Sequence, residues 1–276
     1  MKKILLAFDG HHFSEGAFDW VRRLHALQPV LVTGVFLPLV DYASLWSYAQ
    51  SAATGPLPVI PGQADDEHRQ VQENIARFER LCGEAGIEYR VHQNFFEFAL
   101  PELRRETRFA DLLILSSEQF YHGAPDDSQF SHLKSALKEA ECPVLITPEH
   151  FDWPDHNVLA YDGSAESVYA IKQFAYLFPE LTRNHTVLVH AGRGGGDALP
   201  GEPWMEELST MHYSDLRLMK LESDSRNAFA RWVHKRPGAL LVCGSFHRSA
   251  LSEMIRESFV AGIIRAHKLP VFVAHR

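Results

Sequence analysis

Cysteine is scarce in this sequence: three residues among 276, at Cys82, Cys142 and Cys243, with no CxxC spacing and no pairable framework. That excludes a disulfide scaffold, fits a reducing compartment, and leaves the three thiols as small core hydrophobes. Positive charge is in deficit too. A formal net charge of −8 excludes a binder of phosphate backbones, which needs clustered Lys and Arg, so no nucleic-acid partner is expected. Long apolar runs are absent, none approaching the roughly 18 residues of a membrane span. The opening MKKILLAFDG is broken by Asp9 and Gly10, short of the apolar segment of about 7–15 residues in a signal peptide. It reads as a first β-strand, and the chain as a cytoplasmic protein with no membrane partner.

Catalytic and metal patterns are missing as well. Sixteen histidines occur without an HExxH or a Cys/His pair, and His11-His12, adjacent in a strand-to-helix turn, diverge, so no metal site is expected. There is no GxSxG elbow, and no nucleophile can be placed beside a base and an orienting group; no catalytic residue is assigned. Gly192-Arg193-Gly194-Gly195-Gly196-Asp197 follows a strand, but it has neither the Lys-Ser/Thr of a P-loop nor GxGxxG spacing, and it reads as a flexible loop.

What is present is an ordinary globular composition, 46% apolar and 22% charged, in a chain long enough for two domains. The chain is also written twice. Ile4-Leu5-Leu6-Ala7-Phe8-Asp9-Gly10 is echoed by Asn157-Val158-Leu159-Ala160-Tyr161-Asp162-Gly163, and in the same register Ser14 matches Ser167 and Ala17 matches Ala170. Later, Asp111 to Ser117 repeats as Ala239 to Ser245, and Pro143-Val144-Leu145-Ile146 as Pro270-Val271-Phe272-Val273.

Short apolar runs bounded by Gly, Pro or Asp predict buried parallel strands, and the amphipathic stretches between them predict crossover helices. Strands are placed near 3–8, 30–36, 88–93, 111–115 and 143–147, and again near 157–161, 185–190, 215–221, 239–243 and 270–274. Helices are placed near 13–27, 66–85, 99–109 and 131–140, then 165–179, 203–211, 224–235 and 250–267. Each half is a doubly wound parallel five-stranded α/β sheet. Thr147 to Pro154, with two prolines, is the junction, giving domains 1–149 and 150–276. Residues 39–62 combine five Gly and Pro with Tyr42, Leu45, Trp46 and Tyr48, which predicts a lid or packing arm.

The order "strand, Asp-Gly, Ser, helix" followed by "strand, Gly-Ser, helix, x-Pro-Val strand" resembles the universal stress protein family, in tandem form. Its marks are Asp9 and Asp162, Gly244-Ser245 and Cys142-Pro143-Val144. The resemblance implies a fold related to adenine-nucleotide α-hydrolases, two halves packed as a pseudo-twofold pair through their last strands, and a role in stress response. In ATP-holding members the phosphates lie on a loop of Gly, two residues, Gly, nine residues, Gly, then Ser or Thr, where backbone amides reach the phosphates beside a helix start.

Here that loop is degraded. In the second half Gly244 opens it, but His247 and Glu257 replace the other glycines, and Ser258 keeps the hydroxyl. Glu257 beside phosphates is a like-charge contact. In the first half Ser116 and Phe130 replace the outer glycines and Ser131 remains, so no triphosphate is expected there. The position touching base or ribose corresponds to Asp162, with Val189 and Gly244 nearby, which marks Asp162, Val189, Gly244 and Ser258 as the candidate ATP crevice. Two readings stay open: a non-catalytic regulatory binding protein with degenerate nucleotide loops, and an ATP-binding switch or slow ATP hydrolase with a metal offsetting Glu257. Asp9 and Asp162 also suit plain capping of turn amides. Surfaces for protein partners or a further homodimer carry no local signature.

Overall fold

The computed structural model describes residues 1–38, 63–93, 99–122, 126–191, 199–221, 226–244 and 262–274. The first half runs β1 (Lys2–Phe8), α1 (Glu15–Leu27), β2 (Val30–Phe36), α2 (Gln63–Ala85), β3 (Glu88–Gln93), α3 (Ala99–Thr107), β4 (Leu112–Ser116), α4 (Asp126–Glu139) and β5 (Val144–Thr147). Residues 148–155 form no helix or strand. The second half follows with β6 (His156–Tyr161), α5 (Ala165–Leu177), β7 (His185–Ala191), α6 (Glu202–His212), β8 (Leu216–Leu221), α7 (Arg226–His234), β9 (Ala239–Gly244) and β10 (Val271–Ala274). Just before β10, residues 262–265 are helical.

The strands form one ten-stranded sheet in the order β3-β2-β1-β4-β5-β10-β9-β6-β7-β8. Within each half every pairing is parallel. The halves meet edge to edge at one antiparallel seam, where Val271 pairs with Ile146, Phe272 with Leu145 and Val273 with Val144. The expected pseudo-twofold packing is therefore a shared sheet. It pairs two strands that would otherwise be open edges, and an open edge is a template for unwanted pairing.

Side chains along the strands alternate between two apolar layers, as a sheet covered on both faces requires. Ile4, Leu6 and Phe8 point to a layer with Trp20 and Val21 of α1, Ile75 and Phe78 of α2, Ile171 and Phe174 of α5, and Phe272. Leu5 and Ala7 point to the other, with Leu103 of α3, Leu133 and Leu137 of α4, Val233 of α7, and Ile263 and Val271. Each layer thus takes residues from both halves. Around the seam, Trp20 is fully buried with ring centroids 5.4 Å from Phe151 and 4.5 Å from Trp153, which lie in the irregular connector. Lys2 Nζ donates to the carbonyl of Leu177, and His267 Nδ1 lies 2.8 Å from Ser117 Oγ.

One sequence expectation shifts, and one match of the repeat does not carry over to the caps. α4 begins at Asp126, not near 131, so Ser131 is an exposed residue inside the helix and not at its start. Ser14 caps α1, its Oγ accepting from Ala17 N at 3.0 Å, but the equivalent helix α5 is capped by Ser164, which accepts from Ser167 N at 3.2 Å. Ser167, the register mate of Ser14, is thereby inside a helix that starts one turn earlier. The expected arm at 39–62, the Gly192 to Asp197 loop, and His247, Glu257 and Ser258 lie outside the described residues.

All three cysteines are buried as free thiols. Burial pushes each thiol up to about 12, helped by Glu79 at Cys82 and by Asp111 at Cys142. At pH 8 they hold almost no thiolate, the reactive form. A disulfide-exchange reagent is expected to titrate none of them within minutes in native buffer and all three in denaturant; fast native labelling would contradict this packing.

Candidate functional site

In each half the strand order reverses beside the first strand, between β1 and β4 and between β6 and β9. The crevice at the carboxyl ends of such strands is where open α/β sheets take ligands. At this place in the first half the chain supplies its own anions. Asp9 is 2% exposed. Its Oδ1 accepts from the backbone N of His11 at 2.9 Å and of His12 at 2.8 Å. Its Oδ2 accepts from Tyr121 N at 3.0 Å and lies 2.7 Å from His12 Nδ1, which assigns the imidazole proton to that nitrogen. The Tyr121 hydroxyl donates to Leu37 O at 2.9 Å, and burial, then the charge of Asp9, holds its pKa well above that of free tyrosine.

Glu149, two residues beyond β5, closes the neighbouring space. Its Oε1 accepts from Ser14 Oγ and from Ser116 Oγ, the latter at 2.7 Å, and its Oε2 accepts from Gly16 N at 3.2 Å. A carboxylate here also meets the positive end of the α1 dipole. Ser116 Oγ in turn accepts from Gln119 N at 2.9 Å, while Glu118 Oε1 accepts from Glu149 N at 2.8 Å, so the exits of β4 and β5 are tied to the start of α1. Gly16 permits this approach: a Cβ there would stand 2.7 Å from the Cα of Glu149. A groove of about 820 Å³ runs along this region, lined among others by Glu15, Asp19, Arg22, Glu149 and Asp152.

The second half fills the equivalent space with backbone. The additional first turn of α5 lies against Gly244, where a Cβ would stand 2.6 Å from the carbonyl carbon of Glu166 and 2.7 Å from Ser167 N. The same substitution of Gly for the aligned Ser116 that resembles a nucleotide loop is thus required by helix packing. Asp162, unlike Asp9, is exposed, and its Oδ1 accepts from Ser164 N at 3.0 Å and from Ser164 Oγ at 2.5 Å. Tyr161 Oη donates to Pro200 O at 2.5 Å, and buried His190 places Nδ1 3.0 Å from Tyr161 O. Val189 is 1% exposed and its side chain belongs to the inner apolar layer with Val158 and Cys243.

Of the four candidate residues, Asp162 and Gly244 thus share one strand-end edge, Val189 contributes core packing, and Ser258 is outside the described residues. Phe130, in place of the last glycine, packs against the Arg265 guanidinium at 4.2 Å. Sequence reasoning missed Glu149. It sits in the proline-bracketed junction, and only the exit path of β5 brings it to α1; no local pattern marks it. Among the described residues no cluster of His, Cys, Asp and Glu suits a metal ion, and no helix is long and apolar enough to cross a membrane.

No family model and no curated protein matches the sequence. Among solved structures, the chain is similar over 100% of its length, and 96% of the other chain, to a universal stress protein from Archaeoglobus fulgidus, with a TM-score of 0.67 and 16% identity. A universal stress protein in complex with cAMP matches 45% of this chain and 98% of its own, with a TM-score of 0.34 and 17% identity. A member of that family from Burkholderia pseudomallei matches 44% of this chain and 95% of its own, with a TM-score of 0.29 and 14% identity. The chain has the universal-stress-protein fold, with the repeat written in tandem and sharing one sheet.

Proposed function

We propose that this chain is a stress-response-type regulatory binding protein, without catalytic side chains of its own, divided at about residue 150 into two domains whose nucleotide crevices have been taken over by protein groups. The observation that carries this reading is the Glu149 carboxylate, held by Ser14, Gly16 and Ser116 at the α1 N-terminus. It puts a carboxylate on Ser116, the residue aligned with the glycine that opens the phosphate loop, where a triphosphate would meet like charge in a partly desolvated setting. In the second half the close approach of α5 to Gly244 supports the same reading.

A second reading rests on Asp162, which stays exposed where Asp9 is buried. It keeps an acceptor at the strand end for a ribose hydroxyl or an adenine amino group, and makes the second half a site for ATP with a magnesium ion offsetting Glu257. The test is the mass of small molecules released on denaturing fresh protein, followed by calorimetric ATP titration with and without magnesium. The first reading expects no released nucleotide and no saturable heat up to millimolar ATP. Saturable binding abolished by Asp162→Ala would overturn it in favour of the second.

A further inference from the structure

Helix α6 carries an apolar ridge on its solvent side. Trp204 is 75% exposed and Met211 79%, and they lie seven residues apart, on one face and about 10 Å apart along the axis. Tyr176 of α5, 53% exposed, extends the ridge sideways through an edge contact with the His212 ring, centroids 5.3 Å apart. Leu208 lies between Trp204 and Met211 and packs partly against the core. Two large side chains so exposed on one short helix are unusual in a surface that has no use for them.

The repeat supplies an internal control. Helix α2 holds the same place in the first half, directly before the edge strand and over the same apolar layer. Its solvent side presents Glu73, Arg77, Glu79, Arg80 and Glu84, with Arg77 paired to Glu15 and Arg80 to Glu84. The fold therefore does not demand apolar residues there. The charges around the α6 ridge differ in kind as well. Glu207, three residues after Trp204 and four before Met211, flanks the ridge, is exposed and has no cation within ion-pair distance among the described residues.

We infer that the α6 face is a docking surface for a partner segment that forms a basic amphipathic helix. Such a segment lays apolar side chains at i, i+3/i+4 and i+7 along Trp204, Leu208 and Met211, while a Lys or Arg on its flank meets Glu207. Charge complementarity selects this occupant over two others. A second copy seated on the same face would oppose carboxylate to carboxylate, which costs affinity, and an anionic lipid surface would be repelled likewise. The ridge is separate from both strand-end crevices, so this inference does not depend on whether either holds a nucleotide.

The experiment uses the full chain and a fluorescein-labelled amphipathic peptide of Leu and Lys, with the same peptide carrying Glu for Lys as control. Anisotropy is expected to saturate with a Kd of about 10–100 µM for the Lys peptide, typical of a small interface, and not to rise for the Glu peptide. Trp204→Ala and Met211→Ala, both at exposed positions that leave folding intact, are each expected to weaken binding by about tenfold. Glu207→Lys should weaken it and reduce its salt dependence, while Glu206→Lys, on the opposite side of the helix, should not. No saturation below millimolar peptide, or equal affinity in all variants, would overturn the inference. So would a dimer in light scattering that Met211→Lys dissolves, which assigns the face to a second copy, or co-sedimentation with phosphatidylserine vesicles lost in Trp204→Ala, which assigns it to a membrane.

Discussion

Val271→Lys is expected to leave no cooperatively folded protein at 25 °C. Val271 is fully buried, pairs with Leu241 on one side and with Ile146 across the antiparallel seam, and lies in the apolar layer that takes residues from both halves. Among the described residues the layer that an ammonium would enter there is apolar, and a central strand gives it no path to water. Burying an unpaired charge costs at least several kcal/mol, against a total stability of about 5–15 kcal/mol for a typical protein. Because Trp20 and Phe272 share the opposite layer, the loss cannot be confined to one half. Far-ultraviolet circular dichroism and tryptophan fluorescence should both report unfolded chain, with Val271→Ala as a folded control. If one half instead kept a native-like transition, the seam would not be a shared core.

Glu149→Ala is the second large effect. It removes the acceptor for Ser14 Oγ, Ser116 Oγ and Gly16 N together, and unties the connector from α1. A hydrogen bond to a charged group contributes about 1.5–3 kcal/mol net, and because the three donors share one half-buried carboxylate and water can reach them once it is gone, a loss of about 2–4 kcal/mol is expected. With a urea slope of about 2 kcal/mol/M, the unfolding midpoint falls by roughly 1–2 M. Glu149→Gln keeps one acceptor but turns an amide toward a donor, and should fall between the two. A midpoint within experimental error of the parent chain would mean that the carboxylate is solvated and that the first crevice is open, which would also undercut the functional proposal above.

Much of the architecture was legible because buried parallel strands announce themselves twice over. Leu112 to Leu115 and Ala239 to Cys243 are apolar without interruption, which only a sheet covered on both faces tolerates, and each reappears at the same place in its half. Helix starts were less legible. Asp126-Asp127-Ser128 holds no apolar residue, so periodicity cannot see the first turn of α4, although acidic residues suit a helix N-terminus. Ser164 and Ser167 are both competent caps, and the repeat register, which matches Ser14 with Ser167, does not tell which of them caps the helix. The edge-to-edge seam followed from the wish to hide a sheet edge, but its antiparallel sense and register are tertiary facts. The site was read least well. Asp9 and Asp162 occupy the same place in the pattern, yet one is sealed by four donors and the other exposed, and the donor that closes over Asp9, the backbone N of Tyr121, comes from a distant part of the chain.

The β5–β10 seam has an evolutionary corollary. If two identical copies of one half met at such a seam, every substitution would occur twice, once on each side of the axis, and a change that filled one crevice would fill both. Joining the copies in one polypeptide lifts that constraint, since the partner is always present at the high effective concentration of a short tether and each side mutates alone. Glu149 on one side and the additional turn of α5 on the other are two unrelated solutions at one symmetry-related place. The α6 ridge, with no apolar counterpart on α2, is a third such divergence, and it gives the molecule a single distinguishable front.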